Sequence, residues 1–83
     1  MLFLAECYLP RLASLDDAAR LAREAAEDAA RSGMRIRFIR AIFVPLDESC
    51  FVLYEAESAK DVAAAGMLAR LDYDRIAEAL ATP

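Results

Sequence analysis

Residues 42–56, IFVPLDESCFVLYEA, carry two apolar runs joined by a short acidic link. Successive side chains of a strand point to opposite faces of its sheet. Both runs are apolar at both parities, so a sheet built from them has two faces that need cover. A short chain with few helices can roof only one. This one stretch therefore bears on assembly as well as on fold.

At 83 residues the chain is a single domain, 1–83. A chain of this size buries only about 60% of its unfolded surface. Hydrophobic residues make up 59% of the sequence, but nineteen of them are Ala. Large apolar side chains are few, which favours burial shared between chains. The net charge is −4 with no basic tail, which excludes nucleic acid and anionic membrane surfaces as expected partners. The opening MLFLAECYLP has no charged lead-in, and its apolar run stops at Glu6, too short for an export signal or a membrane span. Two Cys are too few for a disulfide scaffold, so the expected compartment is the cytoplasm. There is no His, and with it go the commonest metal ligand and the commonest general base. No Gly-rich phosphate loop or CxxC occurs, and no metal or cofactor is assigned.

Residues 2–9 suit a buried strand ended by Pro10. Ser14 with Asp17 three residues on forms an Asp variant of the capping box. It opens a predicted helix that runs to about Ser32 and stops at Gly33. Its expected buried stripe is Leu15, Ala18, Leu21, Ala22, Ala25 and Ala29. Arg20–Glu24, Arg23–Glu27 and Glu27–Arg31 are spaced for ion pairs on the wet side. Residues 34–44 and 49–56 read as a hairpin around PLDE. Ser58 with Asp61 repeats the capping device for a helix over about 59–69, in which Gly66 is unfavourable by about 1 kcal/mol relative to Ala. The tail YDRIAEALA fits either a strand or a short helix. The order β-α-β-β-α favours a closing strand, which gives an α+β ferredoxin-like βαββαβ unit with an antiparallel sheet of order 4-1-3-2.

A four-residue turn pairs Val44 with Ser49, Phe43 with Cys50, Ala41 with Val52 and Ile39 with Tyr54. If Cys7 faces Cys50, one sheet face collects Phe3, Ala5, Cys7, Leu9, Ile39, Ala41, Phe43, Cys50, Val52 and Tyr54. That face is charge-free and suits two Ala-rich helices; Arg37 continues its parity near the start of the edge strand. The opposite face collects Leu4, Glu6, Tyr8, Phe38, Arg40, Ile42, Phe51, Leu53 and Glu55. Such an apolar face marks an interface. The simplest cover is a second copy related by two-fold symmetry. The expected partner is thus a second copy of the chain, and the expected site is a small cavity walled by Glu6, Tyr8, Arg40 and Glu55.

The stretches LFLAECYLP, RFIRAIFVPLDESCFVLYEAESA and DYDRIAEAL resemble a family of small bacterial proteins filed as a domain of unknown function, some of them labelled nickel-binding proteins. The resemblance covers most of the chain, and the middle stretch is its most specific part. It implies a ferredoxin-like fold and a homodimer of the dimeric α/β-barrel kind. The sequence departs from that family's pattern at Glu6-Cys7, where a basic residue usually follows the acid, and at Val52, where a Cys is frequent.

Three functions are compatible with these residues. The leading expectation is a small-ligand-binding dimer that takes a hydrophobic or carbonyl-bearing compound between its sheets. The alternatives are a cofactor-free enzyme of the isomerase, cyclase or oxygenase type, with Glu6 or Tyr8 in place of His, and an interaction module whose seam is filled by its own side chains. Glu6 and Arg40 are read as a ligand site or as an ion pair at the seam. Cys7 and Cys50 are expected to be reduced, buried neighbours. Arg35 and Arg37 are read as guards of an exposed strand edge before phosphate ligands. Asp47 and Glu48 are read as turn residues before cation ligands.

Overall fold

Ser14 and Ser58 start the two helices as their spacing predicts. The Ser14 hydroxyl accepts from the Asp17 backbone N–H at 3.1 Å, and that of Ser58 from Asp61 at 3.3 Å. In the computed structural model, which describes all residues 1–83, the elements are β1 (Leu2–Tyr8), α1 (Leu15–Arg31), β2 (Ile36–Val44), β3 (Ser49–Ala56), α2 (Ala59–Ala69) and β4 (Tyr73–Ala79). Gly33, at φ +100°, ends α1 in the left-handed region that favours glycine. Pro45–Asp47 form a single 3-10 turn, and Glu48 follows at φ 50°. The tail is a strand, which completes the βαββαβ order.

The sheet runs β2-β3-β1-β4, the expected order read from its other edge. Every neighbouring pair is antiparallel, and Cys7 faces Cys50. The fold is ferredoxin-like α+β. The Leu9 N–H bonds to the Glu48 carbonyl and the Ala56 N–H to the Met1 carbonyl, both at 2.9 Å. Alternation from those two ends makes Cys7–Cys50 a hydrogen-bonded pair. It makes Leu4–Leu53 and Glu6–Phe51 non-hydrogen-bonded pairs, whose side chains stand closer together.

Both helices cover one face. Phe3, Ala5, Cys7, Cys50, Val52 and Tyr54 point into the core against Ala18, Ala22, Ala26 and Ala29 of α1 and Val62 and Ala65 of α2. The small Ala side chains let the helix backbones lie close to the sheet. Two details of the α1 stripe differ from expectation. Leu21 is 41% exposed, and Ala26 takes the buried place beside Ala22. A helix that packs through Ala presents a narrow stripe, and Leu21 falls outside it. On the wet side Arg20 reaches Asp17 and Glu24, while Arg31 pairs with Asp28 rather than Glu27. Arg23 forms no pair with Glu27; its guanidinium lies over the Phe38 ring at 5.3 Å.

The main correction concerns β2. Val44↔Ser49, Phe43↔Cys50 and Ala41↔Val52 pair as expected, but the register shifts between Phe38 and Arg40. Ile39 is the extra residue of a β-bulge. Tyr54 therefore pairs with Phe38, not Ile39, and Glu55 pairs with Arg37. The bulge swaps the two parities. Phe38 turns to the helix side and packs edge-on to Tyr54 at 6.3 Å between centroids, while Arg37 turns to the open side. A large aromatic ring is partly buried against the core and a guanidinium is exposed, so the bulge favours both residues.

Gly66, unfavourable in a helix, has a packing reason. A Cβ there would stand 2.6 Å from Cδ2 and Cε2 of Tyr73. The Tyr73 ring occupies that space, and its hydroxyl meets that of Tyr54 at 2.5 Å.

Candidate functional site on the open sheet face

The open face is a grid set by strand register. Across β2-β3-β1-β4 one row reads Ile42, Phe51, Glu6, Arg75 and the next reads Arg40, Leu53, Leu4, Ala77. Below them lie Arg37, Glu55, Leu2 and Ala79, and Tyr8 beside Ser49 closes the upper end. Glu6 and Arg40 share this face, as expected. They sit two strands and one row apart and form no ion pair with each other. Glu6 is half-buried among Leu4, Phe51 and Arg75, Arg40 is exposed at the edge, and Tyr8 is 63% exposed. Glu55 is also exposed, and it accepts from the Arg37 guanidinium at 3.1 Å. Of the four expected site residues, Glu55 alone has a partner within the chain.

Arg75 was missed. The tail reads equally well as strand or helix, so no parity could be assigned to it. Once β4 is a strand, Arg75, Ala77 and Ala79 fall on the open side, and Arg75 becomes the cross-strand neighbour of Glu6. The register of β4 shifts between Glu6 and Cys7, which leaves Asp74 outside the pairing and returns Tyr73 to the core side. Leu4, Phe51, Ala77 and Ala79, with the charged Glu6, Arg75 and Glu78, line a shallow trough of about 160 Å³. A wider hollow of about 480 Å³ runs between α1 and the edge of β2, past Arg23, Ile36, Phe38 and Ile39. The one free-standing cation near its wall, Arg23, is already engaged with Phe38.

The other charged candidates are accounted for by local structure. Arg35 pairs with Glu57 at 3.6 Å and Arg37 with Glu55 at 3.1 Å. These two ladders line an edge strand, where charge discourages pairing with another chain. Glu48 accepts from the Arg11 backbone N–H at 2.7 Å and so ties the β2–β3 turn to the β1–α1 loop.

On the covered face four titratable groups meet in the core. Cys7 and Cys50 are free and buried. The Cys7 thiol is pushed up, first by its hydrogen bond with Cys50 and then by burial. Burial also pushes up both phenols, Tyr54 and Tyr73. This cluster is a neutral polar patch, with each hydroxyl satisfied by the other. The two thiols are the only groups that can supply a thiolate, and no group of three or more Cys, Asp or Glu side chains converges on one point. The residues present do not fit a nickel site.

No family model matches the chain, and no curated protein matches it. Among solved structures it is similar to the crystal structure of SCO4226 from Streptomyces coelicolor A3(2), at 21% sequence identity and a TM-score of 0.76, with 100% of each chain covered. That likeness shows the shared fold and gives no support to the nickel label. No helix is long and apolar enough to cross a membrane.

Proposed function

We propose that the chain is a homodimeric small-ligand-binding protein, with two copies packed open face to open face and the ligand held between the sheets. One observation carries this reading. The two helices roof only one side of the sheet and leave Leu4, Phe51, Leu53 and the 51%-exposed Ile42 together on the other. An apolar sheet face of this kind marks an interface. The charges on it favour a second copy as the occupant. The chain carries −4 overall, but this face holds three Arg (37, 40 and 75) against two Glu (6 and 55). Two acidic proteins can therefore approach here with both signs available on each side. The trough beside Glu6 supplies room for a ligand, with Glu6, Arg75 and Glu78 set against Leu4, Phe51, Ala77 and Ala79.

The test is the state of association. Light scattering at micromolar concentration should give twice the mass of one chain. Phe51→Asp places an unpaired carboxylate at the centre of the face, a loss of about 3–5 kcal/mol once buried. It should yield monomer or aggregate. A wild-type chain that stays monomeric and well folded would refute the dimer.

A further inference from the structure

The row that begins at Arg40 differs from the others. The residues facing it in turn across the sheet are Leu53, Leu4 and Ala77, all apolar. The row therefore presents a guanidinium at one edge and an apolar track across the remaining strands, about 14 Å at the usual strand spacing. The charges around it leave Arg40 unmatched. Glu55, the acid of the adjoining row, is taken by Arg37 at 3.1 Å. Glu6 lies two strands and one row away, beside its cross-strand neighbour Arg75, with which it forms no ion pair. Each protomer thus offers one cation in excess on this face. A second copy brings its own excess cation and does not cancel the first. A guanidinium enclosed between two sheets needs an anion, since a buried charge left bare is costly.

We infer that Arg40 anchors the carboxylate of a small amphipathic anion whose apolar body lies across Leu53 and Leu4. This ligand class rests on the dimeric, ligand-binding reading proposed above. One excess charge per protomer matches a monoanionic carboxylate better than a dianionic phosphate. The planar guanidinium can hold both carboxylate oxygens. The apolar body is shielded on its far side by the second sheet, and its end reaches the trough beside Phe51 and Ala77.

The probes are octanoate, 1-octanol and octylammonium, which share a tail and differ in the head. Light scattering first fixes the mass of the ligand-free protein, and calorimetry then measures binding of each probe. The expected result is a dimer that prefers octanoate to octanol by about ten- to a hundredfold, the range of one charge-assisted hydrogen bond. Arg40→Gln should erase that preference and leave octanol binding in place, and Arg40→Lys should keep part of it. Arg40 is exposed and has no partner in the chain, so both variants should fold, as circular dichroism can verify. A dimer that binds octanol as well as octanoate, favours octylammonium, keeps its preference in Arg40→Gln, or binds none of the three overturns the carboxylate anchor while the dimer stands. A monomeric wild type overturns both.

Discussion

Replacing Gly66 by Ala should destabilise the protein, although Ala is the better helix former. On propensity alone the change gains about 1 kcal/mol in a helix interior. Against it stands the ring of Tyr73, with Cδ2 and Cε2 each 2.6 Å from where the new methyl would sit. Carbon atoms rest about 3.5–4.0 Å apart, so the ring must retreat by about 1 Å. It is not free to do so. Its hydroxyl is held by Tyr54 at 2.5 Å, and Tyr54 is fully buried. Overpacking of this kind costs about 1–3 kcal/mol. If the ring tilts away, the Tyr54 hydroxyl loses its partner, a further ~1–3 kcal/mol. After the helix gain is subtracted, the net expectation is a loss of up to about 2 kcal/mol if the ring keeps its hydrogen bond, and of about 1–5 kcal/mol if it tilts away. Urea unfolding at one fixed protein concentration measures it, because any dimer makes stability depend on concentration. The control is Tyr73→Ala. With the ring gone, Gly66→Ala should stabilise by up to ~1 kcal/mol. A Gly66→Ala variant of the otherwise unchanged chain that gains stability would refute the packing account of this glycine.

The buried tyrosines predict a pH dependence on the alkaline side. Burial raises both phenols above their ordinary value of 10.0, so the folded chain holds these protons when the unfolded chain has released them. That contribution to stability is fully present below about pH 10 and falls as the pH rises further. Tyrosinate absorbance should show Tyr54 and Tyr73 ionising only with unfolding, and early ionisation of either would contradict the buried pair. Cys7 and Cys50 should resist a thiol reagent in the native protein and react once denaturant is added; rapid native labelling of either would place it outside the core.

Local chemistry made most of the fold legible. The two Ser-x-x-Asp starts placed both helices, because a Ser hydroxyl there accepts a backbone N–H of the first helical turn that has no partner within the helix. The 49–56 strand and the four-residue turn fixed the hairpin, and with it the Cys7–Cys50 register. Less was legible where two states differ by little. The tail has Ala at 77, 79 and 81 and too few large apolar residues to favour a helix or a strand by itself. It becomes β4 because an edge position beside β1 is open to it and the Tyr73 ring fits beneath Gly66. Arg75 could not be assigned to a face before that choice was made.

The bulge at Ile39 set the limit on reading the site. Parity counting assumes one residue per step, and a single insertion reverses every face beyond it. Without the bulge Phe38 would face the open side and Arg37 the helices, away from Glu55. With it, Phe38 packs on Tyr54 and Arg37 meets Glu55. The consequence falls on Arg40, which lies on the hairpin side of the insertion and keeps its expected face. Its nearest acid in the grid, Glu55, is now held by another guanidinium. A bulge that improves the core thereby leaves one cation without a partner on the open face. The sequence shows Arg37 and Arg40 as two arginines in one strand, and only the register separates the one that is paired from the one that is free.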